Sequence, residues 1–238
     1  MSLVDDALAG AGSKPAVPAA RSAFVLGNVG KLGDELLNVL LESPLYSRVA
    51  TGVRMPMRVS VPKLEAVMTP AAPAWVPDDV YLCVEPEPVS FWKVTEPYVA
   101  LTSESAAVTA VAMRARGASR VAVLTPLEAL LQLASTPAIR DADELAIVNA
   151  GYQRVVILRP VADDEASTSS GVLQAIGGGV VRVLASYMTP RSLQPIRRRQ
   201  AAQITVDSLC GLADGVHIIG AAQLRELAGD PMDGKRPY

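Results

Sequence analysis

The chain has 238 residues, of which 50% are hydrophobic, and a formal net charge of −2. This length suits one α/β domain with a small appendage, or at most two domains, and the charge argues against nucleic acid as a main partner. The apolar runs are too short and too interrupted for a membrane span. No basic segment precedes an apolar core at the N-terminus, so no secretory signal is evident. We therefore expect a cytoplasmic protein without a membrane partner, whose Cys83 and Cys210 stay reduced.

The first predicted elements are an arm, a strand, a turn and a helix. Residues 1–20 are rich in Ala, Gly, Ser and Pro and predict a flexible N-terminal arm. The apolar run 23–26 is long enough for a buried parallel strand. Three glycines follow it, and an amphipathic helix begins at Asp34 with leucines on one face. Strand, glycine turn and helix form the opening unit of a dinucleotide-binding βαβ fold.

The three glycines have separate predicted roles. Gly27 permits a tight turn, Gly30 lets the backbone approach a pyrophosphate, and Gly33 lets the helix lie close to the strand. Their spacing is GxxGxxG rather than GxGxxG, and a purely structural turn is the alternative. If the turn binds a cofactor, the phosphates face the helix N-terminus. The residues then expected to bind it are Gly27, Asn28, Val29, Gly30, Lys31, Leu32 and Gly33.

The end of the second strand predicts the choice of cofactor. The strand is predicted at 48–54, and Arg54 stands 21 positions after Gly33. A carboxylate at about this distance binds the ribose 2′-OH of NAD, whereas an arginine suits the 2′-phosphate of NADP. Arg58 is a second candidate contact for that phosphate. We therefore expect NADP, with NAD as the alternative; a solvated arginine at a strand end is the non-functional interpretation.

The fourth strand ends in an acidic sequence. The third strand is predicted at 59–67 and the fourth at 78–84, where Val84 is expected to contact the cofactor. Glu85 and Glu87 follow, each with a proline after it. Carboxylates beside a pyrophosphate would repel it unless they point away. We expect both glutamates to be exposed and held outward by the prolines; the alternative is that they occupy the path of the cofactor.

The rest of the chain continues the alternation, which predicts a parallel sheet with helices on both faces. The domains are expected to be a Rossmann core at 21–160 and a C-terminal part at 161–238. That C-terminal part is expected to hold a small substrate or partner lobe, followed by a strand and helix that return to the core. Arg197–Arg199 is expected to be a solvated loop. The other predicted elements are helices at 102–116 (ended by Gly117), 127–133, 139–149, 172–188 and 221–227, strands at 119–124, 152–158 and 216–219, and a segment from 203 leading into a helix through 213.

Several of these residues together resemble a known family. They are Gly27, Gly30, Gly33, Arg54, the pair Asp79-Val80 and the ending Leu158-Arg159-Pro160. The combination resembles the atypical (extended-type) short-chain dehydrogenase/reductases, and within them the small NmrA-like and Tat-interacting-protein-like NAD(P)-binding oxidoreductases, over roughly residues 22–228. The resemblance implies an α/β Rossmann-type doubly wound sheet and adds Arg159 and Pro160 to the cofactor site.

The resemblance fails at the catalytic residues. Active members carry a Ser or Thr after strand five and a Tyr-x-x-x-Lys pair in the next helix. Thr125 matches the first of these, but the tyrosine and lysine positions fall on Thr136 and Arg140, and no Tyr-x-x-x-Lys occurs in the chain. A threonine hydroxyl does not ionise near neutral pH, and an arginine cannot replace a phenol of pKa ~10. Because general acid–base catalysis contributes ~10²–10⁴-fold, carbonyl reduction is expected to be slow or absent.

No other catalytic set replaces the missing pair. A single histidine excludes a His-rich metal site and argues against a serine triad, so no metal is expected. Three hypotheses remain open. The first is an NADP(H)-binding sensor, scaffold or regulator without standard dehydrogenase chemistry, acting with a protein partner or as a homodimer. The second is an active NADPH-dependent oxidoreductase that uses Thr125 or Tyr98. The third is a module that has lost the cofactor.

Overall fold

The computed structural model describes residues 20–57, 60–85, 97–125, 139–159 and 197–228. Strands and helices alternate along the described chain except between residues 46 and 83, where three strands follow one another without a helix. The strands are β1 (Arg21–Leu26), β2 (Tyr46–Val53), β3 (Leu64–Met68), β4 (Asp79–Cys83), β5 (Arg120–Leu124), β6 (Arg154–Leu158) and β7 (Gly215–Ile219); the helices are α1 (Lys31–Glu42), α2 (Ser103–Ala115), α3 (Asp141–Asn149), α4 (Arg198–Gly211) and α5 (Ala221–Leu227).

The described strands form one parallel sheet in the order β3-β2-β1-β4-β5-β6-β7. Its first six positions have the Rossmann order, in which the chain winds outward in both directions from β1. The prediction of an α/β Rossmann-type doubly wound sheet is confirmed. Neighbouring strands β1 and β4 belong to opposite windings, so the crevice at their carboxyl ends is the topological switch point where such folds bind ligands.

Two apolar layers cover the two faces of the sheet. Ala23 and Val25 of β1 belong to one buried cluster together with residues of α1, α4 and α5. Phe24 and Leu26 belong to the other, with residues of α2 and α3. Successive side chains of a strand point to opposite faces, and strands covered on both faces read as continuous apolar runs. This explains why the β1 run is apolar without alternation.

Helix α1 forms because its apolar residues recur at helical spacing. Leu32, Leu36 and Leu40 are buried toward the sheet, at the intervals of four that keep residues on one face. The helix begins at Lys31, three residues before the predicted start, with Gly30 as N-cap. A glycine N-cap has no side chain with which to accept a hydrogen bond, so the first amides of α1 require another acceptor.

The expectation for the basic run is wrong where the structure describes it. Arg198 and Arg199 are not loop residues but the first turn of α4, with Arg197 as its N-cap. Arg199 forms an ion pair with Glu42 at the far end of α1. The apolar residues that follow in α4 are buried in the cluster shared with α1, and this packing extends the helix back through the arginines.

Some predictions lie outside the described residues. None of the helices that the structure describes is both long enough and apolar enough to cross a membrane. The predictions that fall elsewhere are those on residues 1–19 of the arm, Arg58, Glu87, the helix at 127–133, Thr136, Pro160, and the lobe with its helix at 172–188.

Candidate functional site

The turn after β1 fits against the end of β4. Gly27 has a φ of 83°, a conformation that favours glycine, and a Cβ there would collide with the carbonyl oxygen of Cys83. The start of α1 is equally close to the turn, since a Cβ on Gly33 would collide with Cα of Asn28. Gly27 therefore lies in a tight turn, and Gly33 allows the start of α1 to approach that turn closely.

A buried amide at the base of the turn has a donor without an acceptor. Asn28 is 0% exposed. Its Oδ1 accepts a hydrogen bond from the hydroxyl of Thr51 at 2.9 Å. Its Nδ2 finds no acceptor among the residues that the structure describes. Buried polar groups are nearly always hydrogen-bonded, so this donor marks a place where the described chain leaves a hydrogen bond unmade.

The first amides of α1 are occupied by the carboxylate of Glu85. The N–H of Leu32 donates to Oε1 at 3.2 Å, and the N–H of Gly33 donates to Oε2 at 2.7 Å. Glu85 is only 7% exposed. A Cβ on Gly30 would lie 2.5 Å from its Oε1, so the carboxylate fills the space that this glycine leaves open.

The expectation that Glu85 points outward is therefore wrong. Its physical reason lies in α1: the first turn of a helix has free N–H donors and the positive end of the helix dipole. A carboxylate within reach satisfies both, and Gly30 supplies no competing side chain. Sequence reasoning placed Glu85 at the right edge of the sheet and named occupation of the cofactor's path only as the alternative, which is the position that the structure shows for this residue.

Burial and hydrogen bonding act on Glu85 in opposite directions. Burial raises the pKa of its carboxyl above the usual range, while the hydrogen bonds from Gly33 and Leu32 lower it. The negative charge of Asp34 raises the pKa further, and the positive charge of Arg198 lowers it. Because the net direction is upward, the ionised carboxylate is held in the site at a free-energy cost that its hydrogen bonds only partly offset.

A second segment crosses the same edge of the sheet. The N–H of Arg54 donates to the carbonyl oxygen of Pro97 at 2.8 Å, and Tyr98 forms an antiparallel bridge with Val53 at the end of β2. The side chain of Leu101 lies against Gly27, with Cδ1 3.2 Å from the position of a Cβ there. Residues 97–101 therefore pass along the carboxyl ends of β2 and β1.

Arg54 lies where the sequence predicted it. It is exposed and directly follows β2, at the position from which this fold selects between NAD and NADP. Of the other residues predicted in the turn, Lys31 is exposed, whereas Val29 and Leu32 are 5% and 4% exposed. Val29 and Leu32 pack into the protein, so their main chain is what they can present to a ligand.

The predicted catalytic positions have structural partners. Thr125, at the end of β5, is 6% exposed, and its hydroxyl donates to the carbonyl oxygen of Leu158 at 3.0 Å. Arg140 precedes α3 and donates from Nε to Asp143 at 2.6 Å, with Glu104 at 3.6 Å from Nη2. The described contacts of both residues are therefore structural: the Thr125 hydroxyl is bonded to the main chain, and Arg140 lies in a surface ion pair.

The remaining predicted cofactor residues lie at neighbouring strand ends. Val84 is buried, and its N–H donates to the carbonyl oxygen of Leu124 at 2.9 Å. The N–H of Arg159 donates to Ile219 at 2.9 Å, and its guanidinium pairs with Glu144 of α3. Both residues thus stand at the carboxyl edge of the sheet. No group of three or more His, Cys, Asp or Glu side chains placed to hold a metal ion occurs among the described residues.

Comparison with known proteins found no matching family model and no matching curated protein. Solved structures that resemble the chain include a short-chain dehydrogenase family protein from Francisella tularensis, at 11% identity over 86% of this chain and 99% of that one, with a TM-score of 0.48. Another is the Bordetella bronchiseptica enzyme WbmG in complex with NAD, at 12% identity over 93% and 92%, with a TM-score of 0.44. A third is uronate dehydrogenase from Agrobacterium tumefaciens, at 13% identity over 91% of each chain, with a TM-score of 0.34. The strand order and the glycine turn themselves assign the chain to the Rossmann-type α/β fold.

Proposed function

We propose that the protein binds a nicotinamide dinucleotide at the switch point, NADP(H) in preference to NAD(H), and acts as a sensor, scaffold or regulator rather than as a dehydrogenase. The observation that carries the proposal is the anion on the first turn of α1. The amides of Leu32 and Gly33 bind a carboxylate, which is the chemistry by which this turn binds phosphate in dinucleotide folds.

The residues present fit a dinucleotide in three respects. The turn from Gly27 to Gly33 has the close packing that a pyrophosphate cradle needs, and the Nδ2 of Asn28 is a donor without an acceptor in the described chain. Arg54 stands at the end of β2, where a guanidinium binds a 2′-phosphate. The dinucleotide would supply a hydride-transferring nicotinamide; the chain's own contribution would be to bind and orient it.

The proposed lack of dehydrogenase chemistry follows from the proton donor. The chain contains no Tyr-x-x-x-Lys pair, and the hydroxyl of Thr125 already donates to Leu158. Carbonyl reduction needs a proton delivered beside the hydride, and a positioned acid contributes ~10²–10⁴-fold. A sensor or scaffold needs binding alone.

The test titrates full-length wild type and Glu85→Ala with NADPH and with NADH. Calorimetry measures the binding, and the melting temperature gives a second readout. We expect saturable binding of both, tighter for NADPH. Arg54→Gln should weaken the binding of NADPH by about tenfold or more, because one charge-assisted contact to the 2′-phosphate is lost. The affinity for NADH should stay nearly unchanged. Absence of binding to both proteins at millimolar dinucleotide would reject the proposal.

A second candidate is a protein-binding module that has lost the cofactor. It is favoured by one observation: the chain's own groups lie where the ligand would bind, Glu85 on the amides of α1 and residues 97–101 along the ends of β1 and β2. The two candidates separate in the wild-type protein. Saturable dinucleotide binding by wild type supports the first candidate, whereas binding by Glu85→Ala alone, or by neither protein, supports the second.

A further inference from the structure

We propose that Glu85 is a built-in competitor of the ligand: its carboxylate occupies the phosphate position and has to leave before a dinucleotide phosphate can bind. This inference rests on the proposed function and adds its regulation. The site then has two states, a self-occupied one with Glu85 on the amides of Leu32 and Gly33, which the structure shows, and an open one with a phosphate in its place.

The geometry of the contact makes the two anions mutually exclusive. Two consecutive N–H groups bind the two oxygens of one carboxylate at 3.2 and 2.7 Å, so neither amide is available to another acceptor in that state. The carboxylate also fills the space above Gly30, since its two oxygens lie 2.5 and 2.8 Å from the position of a Cβ on that glycine. A phosphate needs the same amides and the same space.

The carboxylate is held in a way that permits exchange. Burial penalises its ionised form, and the opposing contribution comes first from the same two amide hydrogen bonds. A phosphate oxygen accepts from those amides equally well and leaves the Glu85 carboxylate free to return to water. In the same turn, the Nδ2 of Asn28 has no acceptor among the described residues.

The consequence is a lowered apparent affinity. When the binding-competent state is only a fraction of the population, the observed dissociation constant rises by the inverse of that fraction. Any event that draws residue 85 away from α1 then increases the affinity without touching the ligand.

The test measures inorganic pyrophosphate binding by calorimetry on wild type, Glu85→Gln and Glu85→Ala. The matched control is Asp34→Asn, which removes one negative charge from the same first turn of α1 but leaves the two amides occupied. We expect Glu85→Ala to bind pyrophosphate about 10- to 100-fold more tightly than wild type. The pyrophosphate affinity of Glu85→Gln should lie between those of wild type and Glu85→Ala. The affinity of Asp34→Asn should stay within about threefold of wild type.

A second readout follows the amides directly. Hydrogen exchange at Leu32 and Gly33 should be faster in Glu85→Ala than in wild type, and pyrophosphate should slow it again. This readout and Glu85→Gln keep the test decisive if the alanine variant folds poorly. Equal pyrophosphate affinity in wild type and both Glu85 variants, equal gains in Asp34→Asn and Glu85→Gln, or no pyrophosphate binding by any protein would overturn the inference.

NADPH titrations of the same proteins separate this inference from the proposed function. Tighter pyrophosphate binding in Glu85→Ala, without NADPH binding to any variant, supports the displaceable carboxylate and rejects the dinucleotide. NADPH binding of equal affinity to wild type and Glu85→Ala supports the dinucleotide and rejects the competitor.

Discussion

Strand β4 has a buried carboxylate at each end, and the two differ in what they bind. Asp79 begins the strand and is 0% exposed; it accepts from Nε of Arg120 at 2.5 Å and from the hydroxyl of Tyr46 at 2.6 Å. Glu85 stands two residues after the other end and accepts from main-chain amides of α1. The first carboxylate is bonded to side chains, whereas the second is bonded to the helix terminus that the fold reserves for ligands.

This difference in partners assigns a structural role to Asp79 and a binding role to Glu85. Arg120 and Tyr46 project from β5 and β2, so Asp79 ties the amino ends of three strands together. Glu85 ties the carboxyl end of β4 to α1 through donors that exist in every helix of this fold, with or without a glutamate. We expect the loss of Asp79 to cost folding stability and the loss of Glu85 to change binding.

The largest effect should come from Asp79→Ala. It leaves the side chain of Arg120, which is 14% exposed, without its buried partner, and breaking a buried pair costs about 3–5 kcal/mol in the free energy of unfolding. Urea unfolding followed by circular dichroism measures this. The control Glu65→Gln, which weakens a surface ion pair with Arg48, should cost less than about 1 kcal/mol. A changed pyrophosphate affinity in Asp79→Ala with unchanged stability would reverse the comparison.

The next effect concerns the turn between β1 and α1, which packs against the end of β4. Gly27 and Gly151 have φ values of 83° and 84°, but only at Gly27 would a Cβ collide with another segment, whereas nothing lies within 4 Å at Gly151. Gly151→Ala should cost about 1–2 kcal/mol for its backbone conformation alone. Gly27→Ala should exceed it by about 1–3 kcal/mol because of the overlap. Equal losses on urea unfolding would mean that the turn does not pack tightly on β4.

A smaller effect tests the interpretation of Thr125. Thr125→Val removes the hydrogen bond to the carbonyl oxygen of Leu158 and should lower the free energy of unfolding by about 0.5–1.5 kcal/mol. Thr125→Ser keeps the hydroxyl, so its free energy of unfolding should stay close to that of wild type. If NADPH turnover with a carbonyl substrate exists and disappears in Thr125→Val but persists in Thr125→Ser, Thr125 is catalytic and the structural interpretation is wrong.

The pH dependence of stability gives the most specific comparison. Because burial raises the pKa of the Glu85 carboxyl in the folded state, its contribution to stability is fully present below the ordinary carboxyl pKa and is lost as the pH rises through the raised value. In Glu85→Gln this loss is absent. The difference in unfolding free energy, Glu85→Gln minus wild type, should therefore increase as the pH rises from about 4. Asp79, whose pKa burial also raises, is common to both proteins and cancels. A difference that stays constant or decreases would contradict the assignment.

The sequence by itself determined the architecture. Apolar runs, with helical segments between most of them, predict a parallel doubly wound sheet, and the strands that the structure describes form such a sheet. The glycine turn was recognisable because only glycine tolerates the φ of 83° and the close approach at that point. Arg54 followed from its distance to Gly33. These features depend on local spacing, which the sequence records directly.

The tertiary structure alone decided what occupies the site. Glu85 and Leu32 are 53 positions apart, and no local rule says whether a glutamate after a strand turns toward water or toward a helix terminus. The same holds for Arg198 and Arg199, which are helical because of the apolar packing between α4 and α1, and for residues 97–101, which reach β2 from another part of the chain. Long-range contacts set these positions, since the free energy of a buried carboxylate depends on which donors the completed fold brings to it.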